Sequence, residues 1–184
     1  MIQPIYLYGS EVLRKKAPQA DITEKEYLAS LVQDLKDTLE KADGCGLAAP
    51  QIGVSLRVLI VDGRELAETY PDLADFFRVM INPVVTWESD SRCEYTEGCL
   101  SVPGIYSDVI RPSSIKVEYY NENLEKVTEQ FDGFGCRMVQ HEMSHLDGTL
   151  FTDLVSPIRK KMLAKKLQSI SRGKVATAYN AKIK

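Results

Sequence analysis

Both histidines of this 184-residue chain stand four residues apart, in His141-Glu142-Met143-Ser144-His145. On a helix, positions i and i+4 share a face one turn apart, so both imidazoles reach a single metal ion. Glu142 projects beside them, placed to accept a proton from an activated water without being a ligand. The pattern points to a metallohydrolase and leaves the substrate open. The plain alternative, a surface helix with two ordinary histidines and a solvated glutamate, would require the chain to spend both of its histidines on this spacing by accident.

Two imidazoles leave a tetrahedral catalytic site one protein ligand short if its fourth position is to hold water. No histidine follows His145 and no glutamate follows Glu142, so neither completes the set from downstream. Asp147 is too near His145 to wrap back, whereas Asp153, beyond Gly148-Thr149, is able to. That ligand would make the chain a metallopeptidase similar to the aspzincins. Upstream, Cys99 in Glu97-Gly98-Cys99-Leu100-Ser101 is the other candidate, with Gly98 letting the backbone approach the metal. Taken alone, Cys99 reads as a small buried hydrophobe. A binding module with a structural metal is the remaining reading, and it would need four protein ligands where three good ones are visible.

These residues need elements to hold them. Thr23 and Glu26 read as a capping box, followed by Tyr27, Leu28, Leu31, Val32, Leu35 and Leu39 at helical spacing, which predicts a helix over residues 24–42 that stops near Gly44. Residues 56–61 suit a buried strand, and residues 78–86 suit another in which Pro83 favours an edge or a bulge. Residues 115–120 and 127–131 flank the turn Asn121-Glu122-Asn123 as a hairpin. After Gly133 the period becomes helical through Met138, Val139, Glu142 and Leu146, with Gly148 as the stop, and Ser156-Pro157 opens a last helix. Helix, strands, helix, helix in one unit predicts an α+β fold, a single domain over residues 1–184 with a basic C-terminal helix and tail from about residue 157.

Three segments resemble the peptide deformylase family: Gly44-Cys45-Gly46-Leu47-Ala48-Ala49-Pro50-Gln51-Ile52-Gly53, then Glu97-Gly98-Cys99-Leu100-Ser101, then Gln140-His141-Glu142 through His145-Leu146. Their order and spacing match, and the resemblance runs from the first helix to the last. It implies a mixed α+β domain, its antiparallel and mixed sheets packed around a central helix that bears both histidines. It also implies one divalent ion per chain held by Cys99, His141 and His145. Ferrous iron is the family's usual native metal, and a thiolate with two imidazoles also accepts zinc, nickel or cobalt. The implied reaction removes the N-formyl group from the formyl-methionine of new polypeptides, with Glu142 as general base and then acid. An oxyanion formed there needs fixed donors, each worth on the order of 3 kcal/mol of barrier. By resemblance these are the Gln51 side chain and the Leu100 backbone N–H.

The same resemblance places Tyr95, Glu97, Gly98, Phe134, Arg137 and Met138 around the substrate. Gly44 and Gly46, lacking Cβ atoms, would let a peptide lie along the loop as an added strand. Two residues depart from the family's usual pattern. Arg137 stands where an aliphatic residue is common, and its stem is expected to line the pocket while its charge reaches water. Ser144 replaces an Asp, a weaker outer partner for the metal.

Bulk properties agree with a folded enzyme: 44% hydrophobic and 27% charged residues fall near the soluble average, and no repeat or low-complexity tract appears. The N-terminal residues lack a basic segment leading into an apolar run, which reads as cytoplasmic residence without a membrane span. Cys45, Cys93, Cys99 and Cys136 form no CxxC pair and read as reduced thiols. The net charge of −3 conceals an asymmetry, because residues 154–184 carry nine Lys or Arg and no acid. Lys160, Lys161, Lys165 and Lys166 suit a phosphate-bearing partner. By resemblance that partner is the ribosome, contacted without reading nucleic-acid sequence.

Overall fold

In the computed structural model, which describes residues 1–183, the core is a five-stranded antiparallel sheet with a helix on each face. Its strands are β2 (Gly46–Ala48), β3 (Val58–Asp62), β4 (Phe77–Glu88), β7 (Ser114–Tyr120) and β8 (Lys126–Asp132), in the order β2-β3-β4-β7-β8. The apolar run in β3 is explained by burial on both faces. Val58 and Ile60 pack towards α1 (Lys25–Ala42), while Leu59 and Val61 pack towards α2 (Gly133–Leu146). Each of these fully buried aliphatic side chains contributes about 1.5–3 kcal/mol relative to exposure.

The first helix forms from the expected apolar stripe and ends as Asp43 turns into the left-handed region at φ 55°. Its start differs from expectation. Thr23 does not cap it; the Thr23 hydroxyl instead donates to Asp21 at 2.7 Å, the local competition typical of short polar side chains. Pro83 lies in β4, an interior strand rather than an edge, and the ladder accommodates it with a bulge between Ile81 and Val84. There Asn82, at φ 53°, bonds both backbone groups of Ala20. The hairpin of β7 and β8 forms as predicted.

Two pairings were not anticipated. Strands β5 (Arg92–Cys99) and β6 (Val102–Pro112) make a separate antiparallel ribbon joined by the two-residue turn Leu100-Ser101. This ribbon packs with α3 (Pro157–Ser171) in a third apolar cluster built on Val102, Ile105, Val109, Leu163, Leu167 and Ile170. Ser156 caps α3 as expected, its hydroxyl accepting from the Arg159 N–H. After α3 the chain reverses at Gly173, φ 71°, and returns to lay β9 (Ala181–Lys182) parallel to β1 (Ile5–Tyr6). No helix among the described residues is long and apolar enough to cross a membrane.

Candidate metal centre

Helix α2 is buried around most of its circumference, so His141, Glu142 and His145 project into the protein rather than into water. Cys99, at the end of β5, faces them: its Sγ lies 3.3 Å from His145 Nε2. The donor atoms of Cys99, His141 and His145 all lie within 4.8 Å of one another, the one metal-competent cluster of this kind among the described residues. Asp153 is elsewhere. It forms a fork with Arg14 at 2.6 and 3.2 Å and accepts the Leu150 N–H at 2.9 Å, a structural role that removes it as a ligand.

The chemistry of this donor set fits a divalent cation. One soft sulfur and two imidazole nitrogens converge in a buried space, with a carboxylate beside them. Burial works to lower His141, but the hydrogen bonds of Cys99 and Glu97 prevail and push it up to about 10. His145 goes the other way, well below its ordinary value, through burial and the neighbouring His141 charge. Burial pushes the Glu142 carboxyl up to about 7, with the His141 charge opposing and the Glu97 charge adding. Glu142 Oε2 has no hydrogen-bond partner among the described residues, as suits a group that exchanges protons with a transient one.

Behind the cluster stands a network centred on Glu97. Its Oε1 takes His141 Nδ1 at 2.7 Å, leaving Nε2 for the cluster, and Arg111 forks onto both oxygens at 2.8 and 2.9 Å. Arg137 adds a bond to Oε2 at 2.8 Å. Burial pushes Glu97 up, yet His141 and Arg111 outweigh it and hold the carboxyl far below its usual range. The anion therefore fixes the ring of His141, as carboxylates behind ligating histidines do. Arg137 is 2% exposed and spends its guanidinium on Glu97, on Val109 O at 2.6 Å and on Cys93 O at 2.8 Å. Its charge does not reach water, which corrects the expectation of a solvent-facing rim. Ser144 likewise serves this network, accepting from Arg111 at 2.8 Å and donating to Gln140 O at 3.0 Å.

Gln51 sits on the short 3-10 turn Ala49–Ile52 that follows β2. Its Oε1 is fixed by the Ala48 N–H at 2.8 Å. Its Nε2 therefore faces the cluster, 3.1 Å from Ser101 Oγ and 3.6 Å from Cys99 Sγ. A cleft of about 1180 Å³ opens onto these groups and is also lined by Gly44, Gly46, Glu97, Gly98, Leu100, Phe134, Arg137 and Met138. Gly46, the first residue of β2, lines it too, and β2 is an edge strand paired to β3 on one side only.

Three of the glycines stand hard against neighbouring side chains. A Cβ on Gly46 would meet Glu142 Oε1 at 2.5 Å, one on Gly98 the Tyr106 ring at 2.5 Å, and one on Gly44 the Leu100 side chain at 2.8 Å. Gly98 thus admits an aromatic ring. Tyr95 does not line the cleft. It packs edge-on behind Phe134 at 5.4 Å and lies under the Arg137 guanidinium. Sequence reasoning missed Arg111, although β6 carries a signal for it: Ile105, Ser107, Val109 and Arg111 alternate inward, and a charge on that buried face demands a partner.

Comparisons with known proteins bear on the family of the chain. The polypeptide deformylase family model matches residues 2–161. The peptide deformylases of Christiangramia forsetii and Chlorobium phaeobacteroides are each 41% identical, over 97% of this chain and 94% of theirs. Among solved structures, the peptide deformylase of Thermus thermophilus superposes with a TM-score of 0.83 at 36% identity, over 94% of this chain and 99% of that one. That of Legionella pneumophila gives 0.81 at 34%, over 94% and 96%. With a matched family model over most of its length, full-length relatives and the same α+β architecture, this chain belongs to the polypeptide deformylase family.

Proposed function

We propose that the chain hydrolyses the formamide of N-terminal formyl-methionine on newly made polypeptides, releasing formate, and that residues 1–184 serve this as one catalytic domain. The observation that carries the reading is the convergence of Cys99, His141 and His145 beside the unpartnered carboxylate of Glu142. The three would hold one divalent ion, with ferrous iron as the proposed native metal and zinc, nickel or cobalt as substitutes. When bound, that ion supplies Lewis acidity, polarising the formyl oxygen and acidifying water near neutral pH.

The chain's own residues do the rest. Glu142, raised towards neutrality, takes the proton of the attacking water and returns it to the departing amine. The Gln51 amide, held by Ala48, and the Leu100 N–H at the cleft wall act as donors to the developing oxyanion. Phe134 and Met138 offer apolar surface for the methionine side chain, and the free edge of β2 offers backbone groups to the peptide that follows. Glu97, Arg111 and Arg137 keep His141 in place from behind.

The basic tail extends the reading to the source of the substrate. Lys160, Lys161, Lys165 and Lys166 are all exposed on α3, which supports a contact with ribosomal RNA phosphates in the cytoplasm; Lys184 lies outside the described residues. The test of the activity is an anaerobic assay of the ferrous-loaded protein on a short formyl-methionyl peptide, beside Glu142→Gln. The parent should release formate, and the variant should lose turnover by about 100-fold or more with its metal retained. Full turnover in the variant, or none in the loaded parent, overturns the proposal.

A further inference from the structure

The turn that carries Cys99 is tied down by both ends of the chain. Tyr8 N–H donates to Ser101 O at 2.7 Å, and the Tyr179 hydroxyl donates to Leu100 O at 2.5 Å. Tyr179 belongs to a segment that has no part in the sheet or the helices. Residues 176–179 leave α3 by way of Gly173, pass along the cleft and form part of its wall. Their course is fixed at several points. The Thr177 hydroxyl bonds Tyr179 O at 2.8 Å, Asn180 O accepts the Ile5 N–H at 2.9 Å, and Lys182 O accepts the Leu7 N–H at 2.9 Å. Val175, Ala181 and Ile183 anchor it on the cluster beneath α3, and the Tyr179 ring packs against the cluster that holds Leu39 and Leu100.

We propose that residues 175–179 are a strap that sets the geometry of the Cys99-Leu100-Ser101 turn, and that Tyr179 is a positioning residue for the reaction through its bond to Leu100 O. The Leu100 carbonyl and N–H lie on two planar peptide units joined through the φ and ψ rotations of one Cα. The β5–β6 ladder holds the turn at Cys99 and Val102 and Tyr8 holds Ser101 O, so fixing Leu100 O removes a remaining rotation and with it part of the freedom of the Leu100 N–H and the adjacent Cys99 sulfur. Because the Ser101 hydroxyl also takes the Gln51 amide at 3.1 Å, one short turn connects the thiolate and both oxyanion donors. Positioning of that kind acts on rate more than on ground-state binding, since misplaced groups lose most in the transition state. The inference rests on the deformylase reading for its kinetic part only.

The experiment compares the full-length, metal-loaded parent with Tyr179→Phe, which keeps the ring and deletes the hydroxyl, and with Tyr179→Ala. Tyr179→Phe should lower kcat on a formyl-methionyl peptide by at least 2-fold, and by about 10-fold at the upper end for one lost hydrogen bond, with KM and metal content near parental. Tyr179→Ala should also raise KM, because it removes part of the cleft wall. Amide hydrogen exchange on the same samples should show faster exchange in the Cys99-Leu100-Ser101 turn of Tyr179→Phe, with α1 and β3 unchanged. A kcat loss below 2-fold together with unaltered exchange at the turn would overturn the proposal, as would a loss that merely tracks lost metal. If the parent has no turnover at all, the functional reading falls instead, and the exchange comparison alone decides whether the hydroxyl holds the turn.

Discussion

Replacing Arg137 by Met keeps the length of the side chain and removes its charge, and the structure sets what should follow. Three contacts disappear, to Glu97 Oε2 at 2.8 Å, Val109 O at 2.6 Å and Cys93 O at 2.8 Å. All involve a group that is 2% exposed, so water cannot replace them without opening the β5–β6 ribbon. Breaking a buried pair by removing one partner typically destabilises by about 3–5 kcal/mol, because the other partner stays desolvated. Glu97 keeps Arg111 and His141, which argues for the lower half of that range. For a chain of this size each kcal/mol shifts the melting temperature by about 2–4 °C, so Arg137→Met should melt roughly 6–16 °C below the parent. Thermal unfolding at equal, saturating metal measures this. Since the guanidinium is spent on Glu97, Val109 O and Cys93 O, kcat/KM ratios among formyl-methionyl peptides differing at the second residue should stay unchanged. A stability loss below about 1 kcal/mol, or altered ratios in a variant of parental stability, would refute the reasoning.

Two further perturbations test other parts of the site and fold. Gly46→Ala would set a Cβ within 2.5 Å of Glu142 Oε1, so the carboxylate must move; kcat should fall about 10- to 100-fold with metal content intact, and parental kcat would show that the carboxylate position is not critical. Burial raises Glu129, but Arg78 and Tyr119 outweigh it and hold its carboxyl below the ordinary value, so its contribution to stability is present above the ordinary Glu range and vanishes as pH falls through the lower folded value. The gap in urea midpoint between parent and Glu129→Gln should therefore be clear at about pH 7 and shrink towards about pH 3; a gap that is constant or grows in acid contradicts it.

Much of this was legible in the residues themselves. His141, Glu142 and His145 share a helix, so their spacing alone placed them together, and α1, α3 and the β7–β8 hairpin follow from periodicity and turn residues. The β5–β6 ribbon was not legible. Its inward positions include Glu97 and Arg111, which break the apolar alternation because they serve the network behind His141, and Ser107, which takes Arg159 of α3. Arg137 was misjudged for a related reason. A lone arginine beside an apolar helix face reads as a snorkelling side chain, and only the fold reveals the carboxylate and two carbonyls that take its charge inside. The strap escaped notice because residues 175–179 form no regular element, and the strands β1 and β9 next to it are only two residues each, too short to carry a pattern. Cys99 required the resemblance to be chosen over Asp153, since nothing in sequence spacing says which distant group folds back.

The central claim is that one ion binds to Cys99, His141 and His145. Anomalous diffraction at the metal absorption edge, from crystals loaded with one divalent metal, addresses it most directly. A single strong peak per chain is expected within bonding distance of Cys99 Sγ and one ring nitrogen of each histidine, about 2.3 Å from sulfur and 2.0–2.1 Å from nitrogen for zinc. A peak at Asp153, or one at the histidines with the Cys99 sulfur turned away, would contradict it.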